Sequence, residues 1–82
     1  MKTQVKYDVG YRDDSSFWLV EEFAEEIDAV SYLEAVQAAG HRDIVLGIWE
    51  KEGDEWYCME SYDEETCEHL GFLPESKENK ND

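Results

Sequence analysis

The 82-residue chain carries 22 acidic and 7 basic side chains, a formal net charge of -15 at neutral pH, with 41% hydrophobic and 13% aromatic residues. Such a length holds one domain, since two halves would each bury too little surface, and the apolar content is too high for an acidic disordered tail. The few scattered cations exclude a basic face for nucleic acid or anionic membrane, and no apolar run approaches the ~20 residues of a bilayer span.

The chain begins Met1-Lys2-Thr3-Gln4-Val5-Lys6. Nothing there has the apolar core of a secretory leader, so the expectation is a cytoplasmic protein. From Gln4 to Arg12 the pattern alternates. Val5, Tyr7, Val9 and Tyr11 fall on one face and Gln4, Lys6, Asp8 and Gly10 on the other, as in a half-buried strand. Asp13-Asp14-Ser15-Ser16 supplies turn formers, and Phe17 to Phe23 resumes a β-rich run, which predicts a hairpin. Phe17–Val20 is apolar on both faces, so one face is expected to meet a helix and the other to lie partly exposed.

The period changes next. Ala29, Val30, Leu33, Val36 and Ala39 follow helical spacing, predicting an amphipathic helix from about Glu25 to Ala39. Asp28 or the glutamates before it serve the N-terminal turn, Gly40 the left-handed C′ position, and His41-Arg42 the negative end of the dipole. Asp43–Glu50 reads as a β-branched strand. Lys51-Glu52-Gly53-Asp54 is a short connection, and Glu55–Tyr62 the return strand. A short helix over Asp63–Leu70 follows, with Asp63 as N-cap, His69 in the last turn and Gly71 beyond it. Phe72 and Leu73 are placed to fold back onto the core.

The predicted class is α+β: a single small domain over residues 1–73, with a four-stranded antiparallel sheet in β-β-α-β-β order, one covering helix and a short C-terminal helix. Residues 74–82, which have no apolar side chain after Pro74, are expected to form a disordered polar tail. The tail adds little charge, because residues 3–73 hold 19 acidic and 4 basic side chains. Val5, Val9, Leu19, Val30, Leu33, Val36, Ile44, Leu46 and Ile48 make the expected core. A core of this size contributes only ~3–5 kcal/mol net, and net charge subtracts from it at low salt. One helix cannot cover every aromatic residue, so Trp18, Trp49, Trp56, Tyr57 and Tyr62 are the candidates for an exposed aromatic sheet face.

Two stretches gather acid without base. Glu21, Glu22, Glu25, Glu26, Asp28 and Glu34 form the first; Glu52, Asp54, Glu55, Glu60, Asp63, Glu64, Glu65 and Glu68 form the second. Soluble domains ordinarily intersperse both signs, because like charges at short spacing are destabilising. A salt-adapted chain would favour Asp over Glu and Arg over Lys. Here glutamates outnumber aspartates and five lysines stand against two arginines, which argues against that origin.

Rows of carboxylates can occupy a groove built for phosphates and displace the same counterions, and neighbouring Trp and Tyr can pack where bases would stack. In size, charge and α+β plan, with these two acidic clusters, the chain resembles the small acidic inhibitors that phages and mobile elements carry against restriction or CRISPR nucleases. The resemblance rests on no diagnostic motif and carries over no family residues. It implies steric inhibition of a nucleic-acid-binding enzyme in a host cytoplasm, without catalysis or cofactor.

On this reading Glu21, Glu22, Glu25, Glu26 and Asp28 form one partner-binding patch, and Asp54, Glu55, Asp63, Glu64, Glu65 and Glu68 the other. The partner is a basic nucleic-acid-binding protein, with no direct contact to nucleic acid or membrane. An acidic adaptor for some other protein fits the same charge pattern. The alternative is an interaction module or homodimer that uses the aromatic sheet face, its acidity serving solubility.

Cys58, Cys67 and His69 form C-x8-C-x-H, with His41 as a conceivable fourth ligand, but the paired knuckles of a zinc site are absent. A Cys58–Cys67 disulfide is disfavoured in a reducing compartment. Neither Asp13-Asp14-Ser15-Ser16 nor Glu52-Gly53-Asp54-Glu55 has the ligand order of a calcium loop. Solvated carboxylates lack the pocket that splits two pKa values for acid–base work, and no phosphate loop or nucleophile motif is present. The expectation is a non-enzyme.

Overall fold

A computed structural model describes residues 4–74. The expected tail lies outside these residues apart from Pro74. The elements are β1 (Gln4–Arg12), β2 (Trp18–Phe23), α1 (Glu26–Ala38), β3 (Arg42–Glu52), β4 (Glu55–Asp63) and α2 (Glu64–Leu70). All pairings are antiparallel, in the sheet order β2-β1-β3-β4. The fold is therefore the α+β plan expected from the hydrophobic periods.

Both helices lie on one side of this sheet. Ala29, Leu33 and Val36 of α1 are buried with Val9 and Tyr11 of β1, Ile44 and Leu46 of β3, Cys67 of α2 and Leu73. Phe23, Tyr32, Tyr62 and Phe72 pack around this cluster. Tyr11 and Cys67 join the core beyond the expected set, and Leu73 and Phe72 fold back onto it as expected. Val5, Val30 and Ile48, expected inside, are half-buried at its margin.

Leu19 is a correction. It was expected in the core but is 41% exposed, and its neighbours Trp18 and Val20 are exposed as well. Among the described residues no element covers either face of this apolar run. Strand β2 sits at the edge of the sheet, and α1 buries its apolar stripe over the central strands β1 and β3.

The helix ends follow local chemistry. The Asp63 carboxylate accepts the Thr66 N–H at 2.9 Å, and Gly71 takes φ 92°, a left-handed turn that a side chain would resist. That turn lets the Phe72 N–H reach the Cys67 carbonyl at 2.9 Å and stacks Phe72 against Tyr62 with ring centroids 6.1 Å apart. At α1, Glu25 is the N-cap without a side-chain bond, and Glu26 and Asp28 hold the first turn. The last turn of α1 has no basic residue, contrary to the role expected of His41-Arg42. His41 instead packs on Tyr11, centroids 4.7 Å apart, and Arg42 begins β3.

Candidate interaction faces

The register assigns every strand residue to a side of the sheet, because cross-strand partners share a face. The open face, away from the helices, holds Lys6, Asp8, Gly10 and Arg12 of β1, Trp18, Val20 and Glu22 of β2, Val45, Gly47, Trp49 and Lys51 of β3, and Trp56, Cys58 and Ser61 of β4. Glu21 pairs with Val9 and so faces the helical side, while Glu22 pairs with Asp8 on the open side. The first acidic cluster is thus divided by the sheet.

The two tyrosines expected on the aromatic face are not there. Tyr57 follows Trp56 by one residue and points to the opposite side. Tyr62 would share a face with Trp56 in an unbroken strand, but an irregularity between Ile48 and Trp49 leaves Met59 without a cross-strand partner and reverses the alternation. Tyr62 therefore packs in the helical layer, where burial and then Glu60 raise its pKa. The aromatic face reduces to Trp18, Trp49 and Trp56.

This open face is built for flat indoles. A Cβ at Gly10 would collide with the Trp18 ring, and one at Gly47 with the Asp8 carboxylate. The glycines thus let these groups lie close on the sheet. Asp8 accepts the Trp49 Nε1–H at 3.1 Å. Between Trp18 and Trp49 runs a shallow groove of about 190 Å³ that includes Val20, Val45, Cys58 and Ser61.

The cations belong to the same side. Lys6 Nζ lies 4.6 Å from the Trp56 ring centroid and 3.2 Å from a Glu22 carboxylate oxygen. Lys51 Nζ is 6.0 Å from Trp56, and Arg12 Cζ is 5.8 Å from Trp18. Arg12 Nε also pairs with Asp43 at 3.0 Å. Arg42 is the cross-strand partner of Arg12 and donates to the Ser16 hydroxyl at 3.2 Å. Lys6, Arg12, Arg42 and Lys51 are all the lysines and arginines among the described residues.

The helical side is the converse. Glu21 of β2, Glu50 of β3 and Glu60 of β4 face it. Glu25, Glu26, Asp28 and Glu34 accompany α1, and Glu64, Glu65 and Glu68 belong to α2. Glu52 and Glu55 pair at the end of the β3–β4 hairpin, with Asp54 in its turn. Among the described residues no lysine or arginine interrupts this layer.

Three carboxylates around α2 also hold structure. The Gln37 side-chain amide donates to Glu64 and Glu68, each at 3.1 Å, tying α1 to α2. The bond from the Thr66 N–H, helped by the Thr66 hydroxyl, lowers the pKa of Asp63.

The cysteine and histidine candidates are divided by the sheet. Cys58 is exposed on the open face. Cys67 is buried in the core, where burial first and then Asp63 push its thiol up to about 11. His41 rests on Tyr11, and His69 is exposed at the end of α2. In the same layer Tyr11 and Tyr32 share a hydroxyl–hydroxyl bond of 3.2 Å. That bond, with burial, pushes Tyr32 up to about 12.

Among the described residues no helix is long and apolar enough to cross a membrane. Searches against protein-family models, curated proteins and solved structures return no match to this chain.

Proposed function

We propose that the chain is a non-catalytic binding protein whose acidic helical side occupies the basic, nucleic-acid-binding surface of a target protein. The observation that supports this reading is the segregation of charge. Every described lysine and arginine lies on the open face, so the helical side offers carboxylates with no competing cation. Among the described residues the ion pairs are Lys6–Glu22 and Arg12–Asp43, and neither takes an acid of α1 or α2.

Glu21, Glu25, Glu26 and Asp28 at one end, and Glu64, Glu65 and Glu68 at the other, stand in for phosphates on the target. Asp54 and Glu55 extend the surface along the hairpin. Glu22 and Asp63 contribute less, since one is paired with Lys6 and the other caps α2. Such binding is inhibition by occupancy, of the kind exercised by acidic phage-borne inhibitors of nucleases.

The test is capture on the immobilised full chain from a candidate host lysate, washed across a salt series with and without duplex DNA. A nucleic-acid-binding protein that DNA displaces, and whose retention falls about tenfold or more between ~50 and ~200 mM salt, supports the reading. Capture that survives both salt and DNA supports a second reading, favoured by the glycine-floored open face. There Trp18, Trp49 and Trp56 dock an apolar surface and the acids serve solubility.

A further inference from the structure

The two edges of the sheet are guarded unequally. Strand β4 exposes an edge bearing Glu55, Glu60 and Asp63 and carries an irregular register against β3, both of which discourage pairing with another strand. Strand β2 has the opposite character in its first half and in Phe17 just before it. Phe17 is 68%, Trp18 46%, Leu19 41% and Val20 49% exposed, so this edge is apolar on both faces and no described element covers its outer side. A bare apolar edge is a template for strand addition.

We propose that β2 pairs antiparallel with β2 of a second copy about a two-fold axis through Leu19, joining two four-stranded sheets into one of eight. Charge and parity select this partner and this register. An antiparallel pair related by a two-fold axis perpendicular to the sheet matches residues of the same face. With Leu19 opposite itself, Trp18 meets Val20 and Phe17, just before the strand, meets Glu21 of the other copy, while Glu22 lies beyond the ladder beside the turn at Ser16. No acid faces an acid.

A parallel pairing in register would set Glu21 and Glu22 against their own copies, and like charges directly opposite are destabilising. Moving the axis to Val20 would set Leu19 and Trp18 against Glu21 and Glu22, and Phe17 against Phe23. Of these pairings only the Leu19 register sets Trp18, Leu19 and Val20 against one another with no acid opposite an acid. The same axis keeps both helical layers on one side, so the two acidic surfaces lie side by side. Dimerisation therefore strengthens with added salt, which screens their repulsion, whereas binding to a basic target weakens.

The pairing is tested without any target, so its failure and that of the proposed function are separable. Sedimentation equilibrium of the full chain should give a species of twice the 9.6 kDa mass, tighter at higher salt. Leu19→Glu should weaken it by about tenfold or more, since two buried charges would then oppose. Met59→Glu on the far edge should leave it unchanged. Leu19 is exposed in the single chain, so circular dichroism of the variant should match the parent.

Position is tested by oxidation in a Cys58→Ser background. Opposed residues lie about 4.5–5.5 Å apart, inside the ~4.4–6.8 Å span of a disulfide. Leu19→Cys should form a cross-linked dimer. Phe17→Cys, about 13 Å from its copy along the strand, should not. A chain that sediments as a monomer at every salt, or equal cross-linking at both positions, overturns the proposal.

Discussion

The two faces of the sheet share their strands and differ in almost everything else. The helical side buries Leu33, Ile44, Leu46 and Val9 and surrounds them with carboxylates. The open side has no covering layer among the described residues, places three indoles on a floor that includes Gly10 and Gly47, and collects every described cation. Stability therefore resides on one face together with most of the negative charge. A chain of net charge -15 would gain solubility from acids scattered over both faces. Concentrating them on the side without described cations instead yields a surface of one sign, the property that the proposed basic partner would read.

Breaking the helical layer should have the largest effect. Leu33 is fully buried between α1 and the central strands. Leu33→Ala should cost about 2–5 kcal/mol, comparable with the ~3–5 kcal/mol expected of so small a core. The variant should be largely unfolded in a urea titration monitored by far-ultraviolet circular dichroism. A variant as stable as the parent would mean that the helical layer does not hold the fold.

A change on the open face should cost less. Gly10→Ala sets a methyl group against the Trp18 ring and should destabilise by about 1–3 kcal/mol while moving the tryptophan emission. Unchanged emission and melting temperature would show that Trp18 does not rest on this glycine.

The smallest effect is a pH dependence confined to the helical layer. Tyr32 rises from its ordinary 10.0 to about 12 because of its bond to Tyr11 and its burial. Between these values the folded chain holds a proton that the unfolded chain has lost, so stability falls as pH rises through that window. Below pH 10 the contribution is complete. Tyr32→Phe should flatten the alkaline limb of the stability curve, and an unaltered limb would remove the hydroxyl pair from the account.

Much of this was legible in particular residues. The alternation of Val5, Tyr7, Val9 and Tyr11 gives the bounds of β1, and Asp63 with Gly71 brackets α2 as capping chemistry requires. Sheet order was not legible. Leu19 looks like a core residue until β2 is known to be an edge strand that α1 leaves uncovered. Strand alternation by itself turns Tyr57 away from the Trp56 face. The side taken by Tyr62 depends on the irregularity at Met59, which has no local signature in Cys58-Met59-Glu60.

The same holds for the candidate surface. Sequence clusters Glu21 with Glu22, and alternation alone divides them. The gathering of Lys6, Arg12, Arg42 and Lys51 on one face depends on three strand pairings across distant segments, which no local pattern encodes.

The most direct test compares two variants in the capture experiment: Glu21, Glu25 and Glu26 changed to Lys on the helical side, and Trp18 and Trp49 changed to Ala on the open side. The account predicts that charge reversal abolishes retention of the DNA-competed partner while the native circular dichroism spectrum persists, and that the tryptophan variant, if folded, still binds. Retention by the charge-reversed protein, with loss in the tryptophan variant, would contradict it and give the function to the open face.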